Sequence, residues 1–216
     1  MSARSEAAKR GRLRLTGAVL VGGRSRRMGR DKARLRVAGE PLWRRQLRAL
    51  AGAGAKELLV VLRKGQRSLA QTSTAPGPSV RFVRDTHGEA GPLAGLAVAL
   101  AAGTGSHVLV LAVDMPAVDA PWLRMLWRTC EPGVGVVVRH RGGYEPLAAI
   151  YPVEAREAVS RALQGGDYSL QALVRALVRG RRIRSLRLAK AELWRVANWN
   201  SPADCGSARG LTLMEE

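Results

Sequence analysis

Short apolar runs of strand length alternate along this chain with longer segments whose apolar residues recur every three or four positions. The runs at 17–21, 58–62, 80–83, 107–113, 134–138, 147–151 and 183–188 predict strands, and 194–197 adds a last candidate. Between them, 41–53 carries Leu42, Trp43, Leu47 and Leu50 at near-helical spacing, with Pro41 placed for a first turn. Segments 92–102, 121–129, 153–163 and 170–178 also predict helices. Segment 66–78 is polar and proline-containing, a helix or a loop, and the tail after 204 reads as frayed. Strands alternating with helices predict an α/β domain in three α/β/α layers, its mostly parallel sheet covered on both faces. In such sheets ligands bind beyond the carboxyl ends of the strands, so function is sought where the apolar runs end.

The 216 residues suit one domain. With no internal repeat and no interdomain linker, the expected organisation is a basic, disordered tail over 1–14, a single domain over 15–205 and a frayed end over 206–216. The first residues, MSARSEAAKRGRLRL, are too polar for a secretory signal; their Arg and Ser content also fits a transit peptide. No apolar run is long enough to span a bilayer. Cys130 and Cys205 form no CxxC, which fits a reducing cytoplasm, the expected location. His87, His107 and His140 are scattered without ligand spacing.

The formal net charge of +19 changes the picture less than its size suggests. It fits a polyanionic partner, either nucleic acid or phosphorylated small molecules, or simply arginine decorating solvated faces. The arginines do not form one block, and Phe82 is the only Phe, so stacking platforms for bases are scarce. No nucleic-acid partner is expected. A basic nucleic-acid-binding or adaptor protein is the non-enzyme alternative.

Candidate chemistry lies at the ends of the runs. Leu20 and Val21 lead into Gly22 and Gly23, and residues 20–32 read LVGGRSRRMGRDK. Two glycines permit a tight turn whose N–H groups face a phosphate. Arg27 can fork two phosphate oxygens, and Lys32 can reach one as a point charge. This is neither a Walker A loop nor a dinucleotide fingerprint. The plainer reading is a Gly-rich turn with solvated arginines. Asp114 ends the most apolar run, VLVLAVDMP, where a carboxylate is costly unless paired or bound to a cation such as Mg²⁺; it also reads as a cap or turn residue. Asp85 ends the shorter 80–83 run on the same rim, or serves its turn. Gly91, Pro92 and Leu93, followed by Gly95, open a helix whose first N–H groups can hold a base or phosphate. Asn198 and Asn200 would share one face of a strand and offer oxygens to a metal or amides to a ligand. Ser201-Pro202 after them also reads as an ordinary helix start.

Taken in order, these segments resemble the MobA-type nucleotidyltransferases, the molybdenum cofactor guanylyltransferases. LVGGRSRRMGRDK resembles the family's LxGGxSxRMGxDK; GPLAG at 91–95, LAVDMP at 111–116, YEPLAAIY at 144–151 and NWNSPAD at 198–204 resemble its later motifs. The likeness runs from about 17 to 204. Val21 stands where members commonly have Ala, and the apolar Val61 where some carry a polar residue. The resemblance implies a Rossmann-like nucleotidyltransferase fold and Mg²⁺-dependent transfer of GMP from GTP to molybdopterin. It places Leu20, Val21, Gly22 and Gly23 along the nucleotide, with Lys32 on its phosphates. Asp85 and the Gly91–Leu93 turn contact nucleotide, Asp114 holds Mg²⁺ and GTP, and Asn198 and Asn200 lie near the pterin or the metal. Arg27, Lys32 and Asp114 would carry catalysis. Cofactor-delivery proteins are implied partners, and a membrane is not. Cytidylyl transfer to the same pterin and sugar-phosphate nucleotidyl transfer are the alternatives within the fold.

Overall fold

The computed structural model describes residues 13–21, 36–37, 39–66, 69, 77–85, 87–88 and 90–199. Their strands are β1 (Leu15–Leu20), β2 (Arg36–Val37), β3 (Glu40–Pro41), β4 (Glu57–Leu62), β5 (Ser79–Arg84), β6 (His107–Ala112), β7 (Gly135–His140), β8 (Gly143–Tyr144), β9 (Ala148–Pro152) and β10 (Ile183–Arg187). Their helices are α1 (Leu42–Gly52), α2 (Pro92–Ala102), α3 (Ala120–Arg128), α4 (Arg156–Gln164) and α5 (Leu170–Arg179). Segments Val153–Ala155 and Lys190–Val196 are 3-10 turns.

The main sheet runs β10-β7-β9-β6-β1-β4-β5, with β8 paired to β7. β6, β1, β4 and β5 are mutually parallel, as are β10 and β7. β9 runs against both neighbours, β6 and β7. The expected mostly parallel sheet is therefore observed, with β9 and the short β8 as exceptions.

The central strands are buried along their whole length, and successive side chains alternate between the two faces, which divides the core in two. Val19, Val60, Leu109, Leu111 and Ile150 pack with Leu42, Leu47 and Leu50 of α1 and Leu123 and Leu126 of α3. Ala18, Leu59, Val61, Val108, Val110 and Tyr151 pack with Leu93, Leu96 and Leu100 of α2 and with Val159, Leu173 and Leu177 of α4 and α5. A period of two on strands covered from both sides yields the three α/β/α layers expected. Gly17 admits α1 close to β1: a Cβ there would lie 2.9 Å from the Leu50 Cβ.

At the amino ends of the strands, buried Glu57 ties the sheet together. Its carboxylate accepts from Thr16 Oγ1 at 2.9 Å, from the Thr104 N–H at 2.9 Å and from Arg81 Nε at 3.0 Å. His107, fully buried on β6, sets Nε2 3.2 Å from the Val134 carbonyl and its ring edge-on to Trp127.

One predicted element is corrected. Segment 194–197 is not a strand, because Lys190–Val196 forms a 3-10 turn. Arg195 pairs with Glu192 three residues back and with Asp119, and its guanidinium lies over the Trp194 ring. The pair three apart needs a turn, since those positions point to opposite faces of a strand.

Candidate active site

The carboxyl ends of β1, β4, β5 and β6 form one rim, and every described candidate lies on it or beside it, Asn198 by way of its neighbour Trp199. β1 hands over to Val21, whose N–H donates to the Val61 carbonyl at 3.1 Å and whose carbonyl accepts from Gln66 Nε2 at 3.2 Å. Gln66 also accepts from the Arg63 N–H through Oε1, and its own carbonyl accepts from Arg84. One residue, through its side chain and its backbone carbonyl together, thus joins the exit of β1 to the loop after β4 and the end of β5. Leu20 and Val21 are buried, so any ligand contact they make is through the backbone. The same holds for Leu93, whose side chain is fully in the core. Val61 is buried too and offers a base no polar group. Gly22, Gly23, Arg27, Lys32 and Asn200 lie outside the described residues.

Asp85 follows β5 and donates its N–H to the Leu62 carbonyl at 2.9 Å. The residue is only 7% exposed, and its buried Oδ1 has no hydrogen-bond partner among the described residues. A buried carboxylate oxygen without a donor is rare and costly in a finished fold, and is a reason to look for a ligand. Asp85 and Asp114 stand at the ends of strands three spacings apart, roughly 14 Å, a span of nucleotide dimensions.

Asp114 sits on a turn braced from three directions. The Val113 N–H donates to the Leu20 carbonyl at 3.2 Å, locking the turn to the exit of β1. The carbonyls of Met115 and Pro116 accept from Gln46 Nε2 at 2.7 Å and Arg45 Nε at 3.0 Å, both from α1. The carbonyl of Asp114 accepts from the Trp199 N–H at 2.8 Å. The closing motif thus reaches the strand-end carboxylate through buried Trp199, while Asn198 is exposed.

At the start of α2, Gly91 has φ 57° and ψ −137°, a conformation that L side chains rarely adopt. Pro92 fills the first helical position, and Gly91 at the N-cap has no side chain with which to cap this end. Pro92 lacks an N–H, so Gly91 and Leu93 supply the backbone donors there.

Glu145 was not singled out in the sequence. It lies inside YEPLAAIY, just before β9, and because β9 is reversed its leading segment stands on the same rim. The Ala112 N–H donates to the Leu147 carbonyl at 2.9 Å, which brings Glu145 beside Asp114. Burial, and then the charge on Asp114, push the Glu145 carboxyl up to about 7. His140 Nε2 stands 3.8 Å from its Oε2, so one histidine that looked scattered belongs to this rim. The available signal was an acidic residue just ahead of an apolar run. Its meaning depends on strand order.

The described residues hold no group of three or more His, Cys, Asp or Glu suited to a metal. Two hard carboxylates do fit Mg²⁺, which keeps waters and takes substrate phosphates for its other positions. No described helix is long and apolar enough to cross a membrane.

Residues 17–183 match the MobA-like NTP transferase domain. The chain belongs to that family. It is 51% identical over 193 residues to a probable molybdenum cofactor guanylyltransferase of Opitutus terrae, covering 88% of this chain and 92% of that one. It is 35% identical to a molybdenum cofactor guanylyltransferase of Pseudomonas fluorescens, over 70% and 74% of the two chains. Among solved structures, the molybdopterin-guanine dinucleotide biosynthesis protein A of Archaeoglobus fulgidus superposes with a TM-score of 0.68 at 25% identity, covering 89% of this chain and 96% of that one. The 2-C-methyl-D-erythritol 4-phosphate cytidylyltransferase of Thermus thermophilus shares the fold, with a TM-score of 0.59 at 19% identity. As a MobA-like transferase, the chain places its strand-end Asp114 and the start of its closing motif in contact on one rim.

Proposed function

We propose that this MobA-like transferase moves GMP from GTP to the terminal phosphate of molybdopterin, giving the guanine dinucleotide cofactor and pyrophosphate. What carries this conclusion is the braced Asp114 turn, held against the exit of β1 on one side and Trp199 on the other. The names of the relatives support guanine and the pterin.

The acceptor is a phosphomonoester, largely anionic at neutral pH, so the reaction needs no enzyme nucleophile. Its oxygen forms a bond to the α-phosphorus of GTP as the bond to the β-phosphate breaks, and pyrophosphate leaves. The protein's work is positioning and charge neutralisation. Asp114, with Glu145 beside it, would hold Mg²⁺, which when bound supplies positive charge at the phosphate oxygens. Gly22 and Gly23 would let backbone N–H groups approach the phosphates, and Arg27 and Lys32 would neutralise the departing pyrophosphate. Asp85 Oδ1 would accept an N–H or O–H from the nucleoside. Asn198 and Asn200 would face the pterin side. Delivery proteins would take the finished cofactor.

The test is pyrophosphate release with Mg²⁺, comparing GTP, CTP, ATP and UTP, with and without molybdopterin. GTP-selective release that requires molybdopterin is expected. Selectivity for CTP would move the protein to cytidylyl transfer, and no release from folded enzyme supplied with acceptor would overturn the proposal. Asp114→Ala and Lys32→Ala should each lower kcat by about 10²-fold or more.

A further inference from the structure

A second concentration of chemistry lies beside this rim. The β2–β3 hairpin and the first turns of α1 enclose an open cavity of about 530 Å³ whose wall carries Arg36, Arg44, Arg45 and Arg48, with Glu40 as its carboxylate. Each guanidinium is positioned by a contact of its own. Arg36 Nη1 donates to the Gly39 carbonyl at 2.6 Å, Arg48 Nη2 to Glu40 Oε2 at 2.5 Å and Arg45 Nε to the Pro116 carbonyl at 3.0 Å. Arg44 lies over the Trp43 ring, 5.2 Å from its centroid. Each hydrogen bond named uses one of an arginine's five donors.

Arginine scattered over solvated faces is unremarkable in a chain of this charge. Four guanidinium groups lining one concavity are different, because like charges so gathered repel, and among the described lining residues they stand with a single carboxylate. Arg45 is half-buried, and that burial lowers its pKa, with Arg48 adding to the effect and Glu40 and Asp119 acting the other way. A bound polyanion would relieve that repulsion. The planar fork of arginine matches pairs of phosphate oxygens, and a concave wall of forks suits a compact, multiply charged anion better than an extended one.

We propose that this cavity is a second anion site that takes a phosphate-bearing anion of the pyrophosphate class. Released pyrophosphate and the phosphate tail of a nucleotide share that chemistry. The site is linked to the Asp114 rim through α1. Arg45 holds the Pro116 carbonyl and its neighbour Gln46 holds that of Met115, so an anion on Arg45 rests on the side chain that braces the turn. The site does not depend on the nucleotidyl-transfer proposal, since its occupancy is measurable without turnover.

The experiment is calorimetric titration of the full chain with inorganic pyrophosphate, without nucleotide, in a Lys32→Ala background that weakens the glycine-loop site. Pyrophosphate should still bind. Adding Arg44→Gln and Arg48→Gln should weaken it by roughly tenfold or more, as expected for lost charge-assisted hydrogen bonds, with circular dichroism unchanged. Competition by GTP in the same background would identify the nucleotide tail as the natural source, and its failure would identify free pyrophosphate; either result supports the site. Loss of all binding in Lys32→Ala alone would overturn it, as would pyrophosphate affinity indifferent to Arg44→Gln/Arg48→Gln. A poly-glutamate peptide or a DNA duplex outcompeting pyrophosphate at equal charge would also overturn it, making the face a macromolecular surface.

Discussion

The backbone N–H of Trp199 donates to the carbonyl of Asp114 at 2.8 Å, joining the closing motif to the strand-end carboxylate. The indole is 3% exposed and packs into the core on the α1 and α3 side of the sheet. Trp199→Ala should cost about 3–5 kcal/mol, as large-to-small changes at buried aromatics do; the backbone donor remains, but without the indole anchoring the segment in the core its hold on Asp114 should loosen. Chemical denaturation and turnover should fall together. A variant that loses stability but keeps wild-type kcat would disconnect the brace from catalysis.

Asp85 has a buried oxygen without a donor among the described residues. Asp85→Asn preserves shape but removes the charge and one acceptor. KM for the nucleotide should rise by about tenfold, the scale of a lost hydrogen bond to a charged group, with little loss of stability because no partner to Oδ1 among the described residues is broken. Unchanged KM would show that the nucleotide does not reach Asp85.

Glu57 and His107 set the acid limb of stability. Burial alone would raise the Glu57 pKa, but the Thr104 N–H and the Arg81, Thr16 and Thr104 side chains outweigh it and hold the carboxyl below its usual 4.5. Burial lowers the pKa of His107 below 6.5, with the Val134 carbonyl offsetting part of that. Both groups have folded pKa values below their unfolded ones, so each contributes stability above the unfolded value and loses it as pH falls through the folded one. In a Glu145→Gln background, which removes the opposing gain that the raised Glu145 carboxyl contributes as pH falls through about 7, urea unfolding from pH 8 downward should show stability declining below about 6.5 as His107 charges and again below about 4.5 as Glu57 is protonated. Glu57→Gln should cost about 1–3 kcal/mol at pH 7 and remove the lower step. An acid profile identical to wild type would disprove this role.

At Gly17 an added Cβ would meet Leu50 Cβ at 2.9 Å and Leu58 Cδ2 at 3.1 Å. Gly17→Ala should therefore push α1 away from β1 at a cost of about 1–3 kcal/mol. Because α1 carries Arg45 and Gln46, which hold the 114–116 turn, turnover should drop more than nucleotide affinity does. Parallel measurement of Tm, kcat and KM checks this.

Much of this fold was legible because its punctuation is chemical. The helix read at 92–102 matches α2 residue for residue, since Gly91 and Pro92 start it and Gly103 ends it. The apolar runs at 58–62 and 107–113 place β4 and β6 to within one residue at either end. The hairpin of β2 and β3 and the strand β8 were missed, because two residues carry no period. Segment 194–197 was misread because Leu193, Trp194 and Val196 mimic a strand, whereas Leu193 and Trp194 stand exposed on a turn held by ion pairs. Asp85 and Asp114 were found because a carboxylate ending an apolar run is anomalous by itself. Glu145 becomes anomalous only once its neighbour in space is known, and that neighbour lies 31 positions away in the chain.

The reversed direction of β9 has a consequence for how this scaffold tolerates changes in loop length. In a wholly parallel sheet, every connection on the reactive side leaves a strand, and connections on the far side can be lengthened at little functional cost. Here the segment entering β9 is on the reactive side and the one leaving it, Val153–Ala155, is on the far side. Residues added between β8 and β9 would shift a carboxylate within the reaction zone, while residues added beside Val153 would leave it in place. A splice or graft at the second position is therefore compatible with a working enzyme, and one at the first rewrites its chemistry.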